Sequence, residues 1–475
     1  METGAHYVDR VHESTLKLLE EVGTCVPDER TLSRLGKAGF RVDHDTQMVR
    51  ISRDQVEAGL AQVPKAVSLQ NRAGDAIVPH DGGPRFMGAG TPVNVLDLES
   101  GEPRSATRLD VRHLVRLQDA LTGVDVVRPT VTATDMGESS DLVEIAELLR
   151  GTTKAMVHRT LAAERVEAAV EMLAAVAGGE RALRDRPFFA TLYCPISPGY
   201  VTPENIRCML AWVEHGVPLT LLSMAMGGAS APATLLGELV VINADILAWV
   251  VALQALYPGA PLLYGSVSSI LDMRTGLLPL GAPERGMVNA GAAAMARHYG
   301  LRSMCGGLSS DAKQVDAQAG FEKAVTATPV LLQGADIIYG VGSVDAGSAI
   351  SAAQVVLDNE LIGGLRRMAG GIGIHDLGEE IELIKAKTPK GNFLNAKHTR
   401  RAHQEHWRPE ILSRETFDGW QERGKTIAVR CQERAQDLLD SHRSEPLPAE
   451  IEAELERILR RYQGEKFHFE AFGGR

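Results

Sequence analysis

Residues 261–307 read PLLYGSVSSILDMRTGLLPLGAPERGMVNAGAAAMARHYGLRSMCGG, and this stretch decides the fold. An apolar run, Pro261–Ser268, is followed by a helix-forming segment over 285–299 and then by a second apolar run, Leu301–Gly306. Both runs are apolar throughout rather than alternating, the pattern of parallel strands covered on two faces. Working outward, the same strand–helix unit recurs. Strands are predicted at Phe86–Gly90, Val124–Thr132, Lys154–His158, Pro187–Cys194, Val217–Met226 and Asp336–Gly342, with the two already quoted making eight. Helices are predicted at 108–121, 140–150, 163–177, 203–215, 230–256 and 314–333. Eight alternations favour a closed (β/α)8 TIM barrel over an open doubly wound sheet.

The barrel is expected to occupy 81–350, between an N-terminal α+β lead-in (1–80) and a helical C-terminal extension (351–475) packed on the barrel or on a subunit interface. Within the lead-in, 7–22 has helical periodicity, RVDHDTQMVRIS reads as a hairpin, and SRDQVEAGLAQVP reads as a capped helix halted by Pro64. In the extension, LPAEIEAELERILRRYQ puts Ile451, Leu455, Ile458, Leu459 and Tyr462 on one stripe.

Of the 475 residues, 44 % are hydrophobic and 23 % charged, as in ordinary globular chains. A net charge of −11 without a basic block argues against nucleic acid and anionic membranes as partners. The N-terminus METGAHYVDRVHEST has no apolar h-region, and the apolar stretch 235–264 is interrupted by Glu238, Asn243, Asp245, Gln254 and Pro258. Five scattered cysteines without a CxxC fit a reducing, cytoplasmic setting rather than a disulfide or zinc framework.

Barrel active sites lie at the C-terminal ends of the strands. Here those ends are rich in glycine, methionine and hydroxyls, and glycines there let a large planar ligand or a partner's backbone approach. After the fifth strand, Ser230 is the expected N-cap and Pro232 the first-turn proline, which would leave the N–H groups of Gly228 and Ala229 free for an anion, or would be only a tight turn. GVGSVDAG at 340–347 lacks the GxGxxG spacing and reads as a glycine-lined wall. Asp272, Glu284, Asp311, Asp316 and Asp345 are the carboxylates nearest the rim, each either an acid–base group or a cap or ion-pair partner of Arg274, Arg285 or Lys313. His398, His403 and His406 make no HExxH pattern, GxSxG is absent, and no tightly bound metal is expected.

Several motifs together resemble the trimethylamine methyltransferase (MttB) superfamily: MGGASAPATLLG at 226–237 with NAD at 243–245, GSVSSILDMRTG at 265–276 with GAPE at 281–284, and SDAKQVDAQAGFEK at 310–323. GTP at 90–92, DLESG at 97–101, His398-Thr399 and HWRPE at 406–410 with Phe417 and Trp420 extend the likeness over nearly the whole chain. The resemblance implies a barrel, often a homo-oligomer, that moves a methyl group from a methylated amine to the Co(I) corrinoid (cobalamin) of a small partner protein. Founding members carry pyrrolysine. This chain is written in the twenty standard residues and so is similar to the non-pyrrolysine branch, which implies a quaternary amine, glycine betaine first, with another betaine or a carnitine-like compound as alternatives.

A quaternary ammonium already carries a neutral amine as leaving group, so the enzyme need only align and desolvate it. Tyr193, Tyr200, Tyr264 and Tyr339 are the candidate ring contacts for the cation, or else ordinary packing. Arg274 or the Gly228–Ala229 turn would take a betaine carboxylate. Ser343, Asp345 and Ser348 leave the eighth strand, and Asp311, Asp345 and Ser343 are the candidate catalytic groups. Met226, Gly227, Ser266, Gly306 and Gly307 are the candidate corrinoid contacts. Competing readings are a lyase or aldolase built on a Schiff-base lysine or a metal, and a non-catalytic quaternary-amine-binding barrel.

Overall fold

Eight parallel strands hydrogen-bond in a closed ring: β1 (Arg85–Gly88), β2 (Val126–Val127), β3 (Ala155–Val157), β4 (Phe189–Tyr193), β5 (Leu219–Ser223), β6 (Leu262–Ser266), β7 (Ser303–Gly306) and β8 (Ile337–Val341). The computed structural model describes residues 6–65, 67–78 and 83–463. The ring shuts where Ile337 of β8 registers with Arg85 of β1 and Met87 of β1 with Val126 of β2. Seven of the strands fall inside the runs predicted for them, and β1 begins one residue ahead of its run, at Arg85.

The helices between them are α1 (Arg108–Ala120), α2 (Ser140–Gly151), α3 (Val166–Ala177), α4 (Pro203–Glu214), α5 (Leu235–Leu256), α6 (Pro283–His298), α7 (Ala317–Gln333) and α8 (Ala352–Ala369). α8 completes the eighth βα unit and so carries the barrel past residue 350. The 22-residue α5 is long and apolar enough to cross a membrane, yet 83 % of its apolar window is buried against the protein. It packs beneath the lead-in, whose helices His6–Glu21 and Arg53–Gln62 lie along it.

Strand residues alternate between two environments. Met87, Val126, Ala155, Val157, Ala190, Leu192, Leu222, Met304 and Ile337 fill the barrel interior. Phe86, Val127, Met156, Phe189, Leu219, Tyr264 and Ile338 point outward into the helical layer. The floor is plugged by the hairpin Leu69–Gln70/Ala76–Val78, whose Leu69 and Val78 join the interior cluster. Gln70 and Arg72 donate backbone N–H groups to Pro187 and Thr153 at the N-terminal ends of the strands, which fixes the plug there.

The lead-in forms as its sequence predicts. Arg41–Asp43 and Met48–Arg50 pair antiparallel, and Ser52 and Gln55 make a reciprocal capping box on the following helix. Residues 1–5, 66, 79 and 80, part of the expected lead-in, lie outside the described residues. At the other end, Leu455, Ile458 and Leu459 of the helix Ala449–Gln463 are fully buried against α3, and Arg150 of α2 holds Glu452 and Glu456 at 2.7 and 2.6 Å. The HWRPE motif docks on α8: Trp407 stacks over Gly363, where a Cβ would lie 2.6 Å from its Nε1, and Glu360 accepts the N–H groups of Glu410, Ile411 and Leu412.

Candidate active site

The barrel opens at the C-terminal ends of its strands into a cavity of about 280 Å3, whose lining includes Met224, Val267, Arg285, Tyr339, Ser343 and Ile350. Strand alternation builds its base. With Val126 facing inward, Arg128 faces inward two residues on; Val157 likewise brings Arg159 inward, and Leu192 brings Cys194. Tyr339 follows Ile337 by the same rule, and it packs with Cys194 on the interior cluster.

Arg285 reaches the mouth from the first turn of α6. Its Nη1 donates to the carbonyls of Val267 (2.5 Å) and Ser268 (3.3 Å). Gly306 makes room for it, since a Cβ there would stand 2.6 Å from Nη2. Gly90 does the same for Tyr339, whose hydroxyl would lie 2.5 Å from an added Cβ.

Arg128 and Arg285 are 3 % and 1 % exposed. Burial lowers both, Arg285 to about 10, so each remains a cation at neutral pH. The Arg128 guanidinium sits 5.5 Å from the Tyr339 ring centre. Among the described residues, no carboxylate lies within ion-pair distance of Arg128, Arg159 or Arg285, and the Nε groups of Arg128 and Arg285 find no protein acceptor. The nearest acid is Asp311, which accepts the N–H of Leu280 at 2.7 Å; burial raises its pKa, and the like charge of Glu322 adds to the rise.

Tyr339 and Ser343 are the two proposed site residues that line the cavity, and the Ser343 hydroxyl donates to Gly340 O at 3.0 Å. The other tyrosines are corrected by their direction. Tyr193 faces outward, with its hydroxyl held by Thr160, and Tyr264 faces outward onto Asn243 at 3.0 Å. Tyr200 lines a separate hollow against Leu18 and Cys25.

Arg274 lies exposed on a loop capped by Asp272. The free-N–H reading of the fifth turn is also corrected: Gly228 N donates to Ala231 O and Ala229 N to Met226 O, while Ser230 accepts from Met226 N and Thr234 is the N-cap of α5. Asp345 pairs with Lys313 at 2.9 Å and lines a larger, off-axis cavity of about 480 Å3 beside the hairpin Asn94–Leu96/Pro103–Ser105. Ser348 is exposed in the turn beyond it.

Ser266 and Gly307 are buried behind the barrel wall, and the place of a side chain at Gly306 is taken by Arg285, so none of the three lies at the surface. Gly227 is buried over Glu238. Met226 is half-buried in a short pair with Ser269–Ile270 above the mouth.

The family motifs therefore divide between site and scaffold. Asn243 and Asp245 lock α5 to its neighbours, Asp245 accepting from Ser197 Oγ (2.5 Å) and Gly199 N (2.7 Å); burial pushes its pKa up to about 6. In SDAKQVDAQAGFEK, Asp316 caps α7, Glu322 accepts from Ser310 and Asp311, and Lys323 forms a buried pair with Asp358 at 2.6 Å.

Arg128, Arg159 and Arg285 were missed as site residues, yet signals exist. The strand VDVV runs straight into Arg128 and KAMV reaches Arg159 after His158, and a charge at the C-terminal end of a barrel strand reads as functional. Arg285 sits in the first turn of a helix, where the dipole disfavours a cation.

The profile described as "Trimethylamine methyltransferase (MTTB)" matches residues 3–465. The Trimethylamine methyltransferase MttB of Desulfitobacterium hafniense is 34 % identical over 96 % of this chain and 92 % of its own. The MttB of Methanosarcina barkeri is 30 % identical over 94 % and 92 %. A Glycine betaine methyltransferase of D. hafniense is 28 % identical over 95 % of both chains. Among solved structures, the M. barkeri monomethylamine methyltransferase shares the fold with a TM-score of 0.54 at 12 % identity, covering 93 % of this chain and 88 % of that one. The end-to-end match of profile and relatives on an eight-stranded barrel makes this chain a methyltransferase of the trimethylamine methyltransferase (MTTB) family.

Proposed function

We propose that this methyltransferase takes a methyl group from a quaternary amine, glycine betaine first, and delivers it to the Co(I) corrinoid of a small partner protein. The observation that carries this reading is the lining of the mouth cavity: among the described residues that line it there is no carboxylate, lysine or histidine, and burial raises the pKa of the Cys194 thiol at its base. A donor handled there must need no proton, Schiff base or nucleophile from the protein, and a quaternary ammonium meets that condition. When the methyl carbon leaves, the C–N electron pair stays on nitrogen and a neutral tertiary amine results. The acceptor supplies the electron pair for the new bond.

The chain's own part is alignment and exclusion of water. Met224, Val267 and Ile350 desolvate the methyl groups, and Tyr339 lies beside them. Small rim residues (Gly90, Ala346 and Gly347) leave the axis of the barrel open to a corrinoid-bearing partner, and half-exposed Met224 stands at that opening. The relative named Glycine betaine methyltransferase supports the choice of donor. Other betaines and carnitine-like compounds share the same chemistry.

Residues 370–424 support a homo-oligomer. The helices Gly378–Lys387, Lys397–Ala402 and Phe417–Arg423 bury no residue, and Ile372, Ile374 and Leu394 are more than four-fifths exposed. Five unpaired thiols fit a reducing cytoplasm.

Incubating the protein with Co(I) cobalamin and glycine betaine, proline betaine, carnitine, choline or trimethylamine, and following the visible spectrum, tests the reading. Glycine betaine is expected to convert Co(I) to the methylated form. If all five fail while the corrinoid stays reduced, the reading falls.

A further inference from the structure

The barrel interior is apolar up to its last layer, and that layer carries three guanidinium groups. Arg128 and Arg159 come from consecutive strand ends, and Arg285 enters from α6 over Gly306. Tyr339 is shared by two of them: its ring centre lies 5.5 Å from the Arg128 guanidinium, and it lines the cavity together with Arg285. Burying a cation without a counter-charge is costly, and proteins normally pair such groups. This chain has the acids to do so, with 61 Asp and Glu residues against 50 Lys and Arg, yet among the described residues it places none within ion-pair distance of the buried Arg128 and Arg285 or of the half-buried Arg159. Arg285 lines the cavity directly, is 1 % exposed, and retains an Nε–H with no protein acceptor.

We propose that Arg285, with Arg128 and Arg159 behind it, is the binding site for a carboxylate on the methyl donor, so that the substrate class is the carboxylate-bearing betaines rather than methylated amines as such. This rests on the methyl-transfer reading above and names the half of the substrate that the site recognises. The Tyr339 face is already occupied by Arg128, so a lone organic cation would meet three like charges and no aromatic cage. A zwitterion brings its own counter-charge. Its carboxylate meets the planar guanidinium donors, which match carboxylate geometry. Its ammonium is then held away from them, toward Met224, Val267 and Ile350.

Calorimetric titration of the full-length protein with glycine betaine, N,N-dimethylglycine and choline separates the possibilities without any corrinoid. Glycine betaine and dimethylglycine, which share the carboxylate, are expected to bind, and choline, which lacks it, at least 30-fold more weakly. Arg285→Gln is expected to weaken both carboxylates at least 30-fold. Because Arg285 also holds the Val267 and Ser268 carbonyls, Arg128→Gln provides a second variant with an expected loss of at least fivefold, and Arg285→Lys should restore only part of the binding. Equal affinity for choline and glycine betaine overturns the proposal, as does wild-type binding by both glutamine variants. Carboxylate binding with no methyl transfer to Co(I) cobalamin leaves the carboxylate site standing and removes the methyl-transfer reading. Transfer from choline as fast as from glycine betaine does the reverse.

Discussion

On the outer wall of the barrel, between α7 and α8, Lys323 is completely buried and completely matched. Its ammonium donates to Asp358 at 2.6 Å, and Asp358 is held in turn by Gly342 N and Gln354. The same holds at Glu147, buried among Arg108, Arg112 and Arg150. At the mouth, Arg128 and Arg285 are nearly as deeply buried, and among the described residues no carboxylate lies within ion-pair distance of them. Wall charges complete the fold by themselves, whereas the mouth charges have no carboxylate partner among the described residues, a part that the proposed carboxylate site gives to the substrate. The contrast separates structural from functional burial more cleanly than residue type does, since both regions use basic side chains.

Breaking the wall pair should have the largest effect. Lys323→Met leaves Asp358 buried and unpaired and is expected to cost about 3–5 kcal/mol, read as a fall in the denaturant midpoint. Adding Asp358→Leu should recover much of that loss, because the second variant removes the stranded charge. Recovery that fails would mean the pair does more than neutralise itself.

Glu238 tests the converse case, a buried acid left without a cation. It is fully buried beneath Gly227, among the described residues no donor meets its carboxyl oxygens in good hydrogen-bond geometry, and burial, offset only in part by the nearby Gly227 N–H, raises its pKa to about 8. An acid whose folded pKa is raised keeps its proton in the fold after the unfolded chain has lost it. Its contribution to stability is therefore present below about pH 4.5 and is lost as pH rises to about 8. Asp245 adds a smaller loss of the same sign between about pH 4 and 6. Glu238→Gln should remove the larger slope, leaving stability near pH 4 unchanged and raising it above pH 8 by on the order of 5 kcal/mol. Thermal midpoints of the two proteins that stay parallel across pH 4–9 would contradict this.

The smallest effect belongs to the exposed pair at the rim. Lys313→Ala frees Asp345, but both side chains are well exposed (69 % and 43 %). The expected change is below ~0.5 kcal/mol, with little change in betaine affinity. A loss of affinity comparable to that of Arg285→Gln would return Asp345 to the site and blur the contrast between mouth and surroundings.

The strands were legible because the physical cause of each lies in its own residues. VVALQALYPGAPLLYGS changes from helical to extended at Pro258-Gly259, and the eight apolar runs can bury two faces only in a covered parallel sheet. The capping box at Ser52 and the tail stripe ending in Leu459 were local in the same way. The tyrosines were not. A strand buried on both faces carries no alternation in its sequence, so nothing in TLYC or LLYG says which way the ring points. Tyr193 and Tyr264 fell on the helical side, and Tyr339 on the axis. The turn after β5 misled for a related reason: Ser230 has the chemistry of an N-cap, but its hydroxyl is taken by Met226 N, and the helix waits for Thr234.

By itself, then, the sequence determined a (β/α)8 barrel with a lead-in and a helical tail, along with the family motifs that run through it. Periodicity, capping and turn chemistry act over a few residues and survive without the fold. Only the tertiary structure decided that Arg128, Arg159 and Arg285, spread over more than 150 residues, share one inward layer, that Gly306 clears space for a guanidinium, and that no carboxylate among the described residues pairs with them. Those facts depend on the closure of the ring and the side to which each residue turns, and these are set by the pairing of β8 with β1 and the packing of α6 on the barrel.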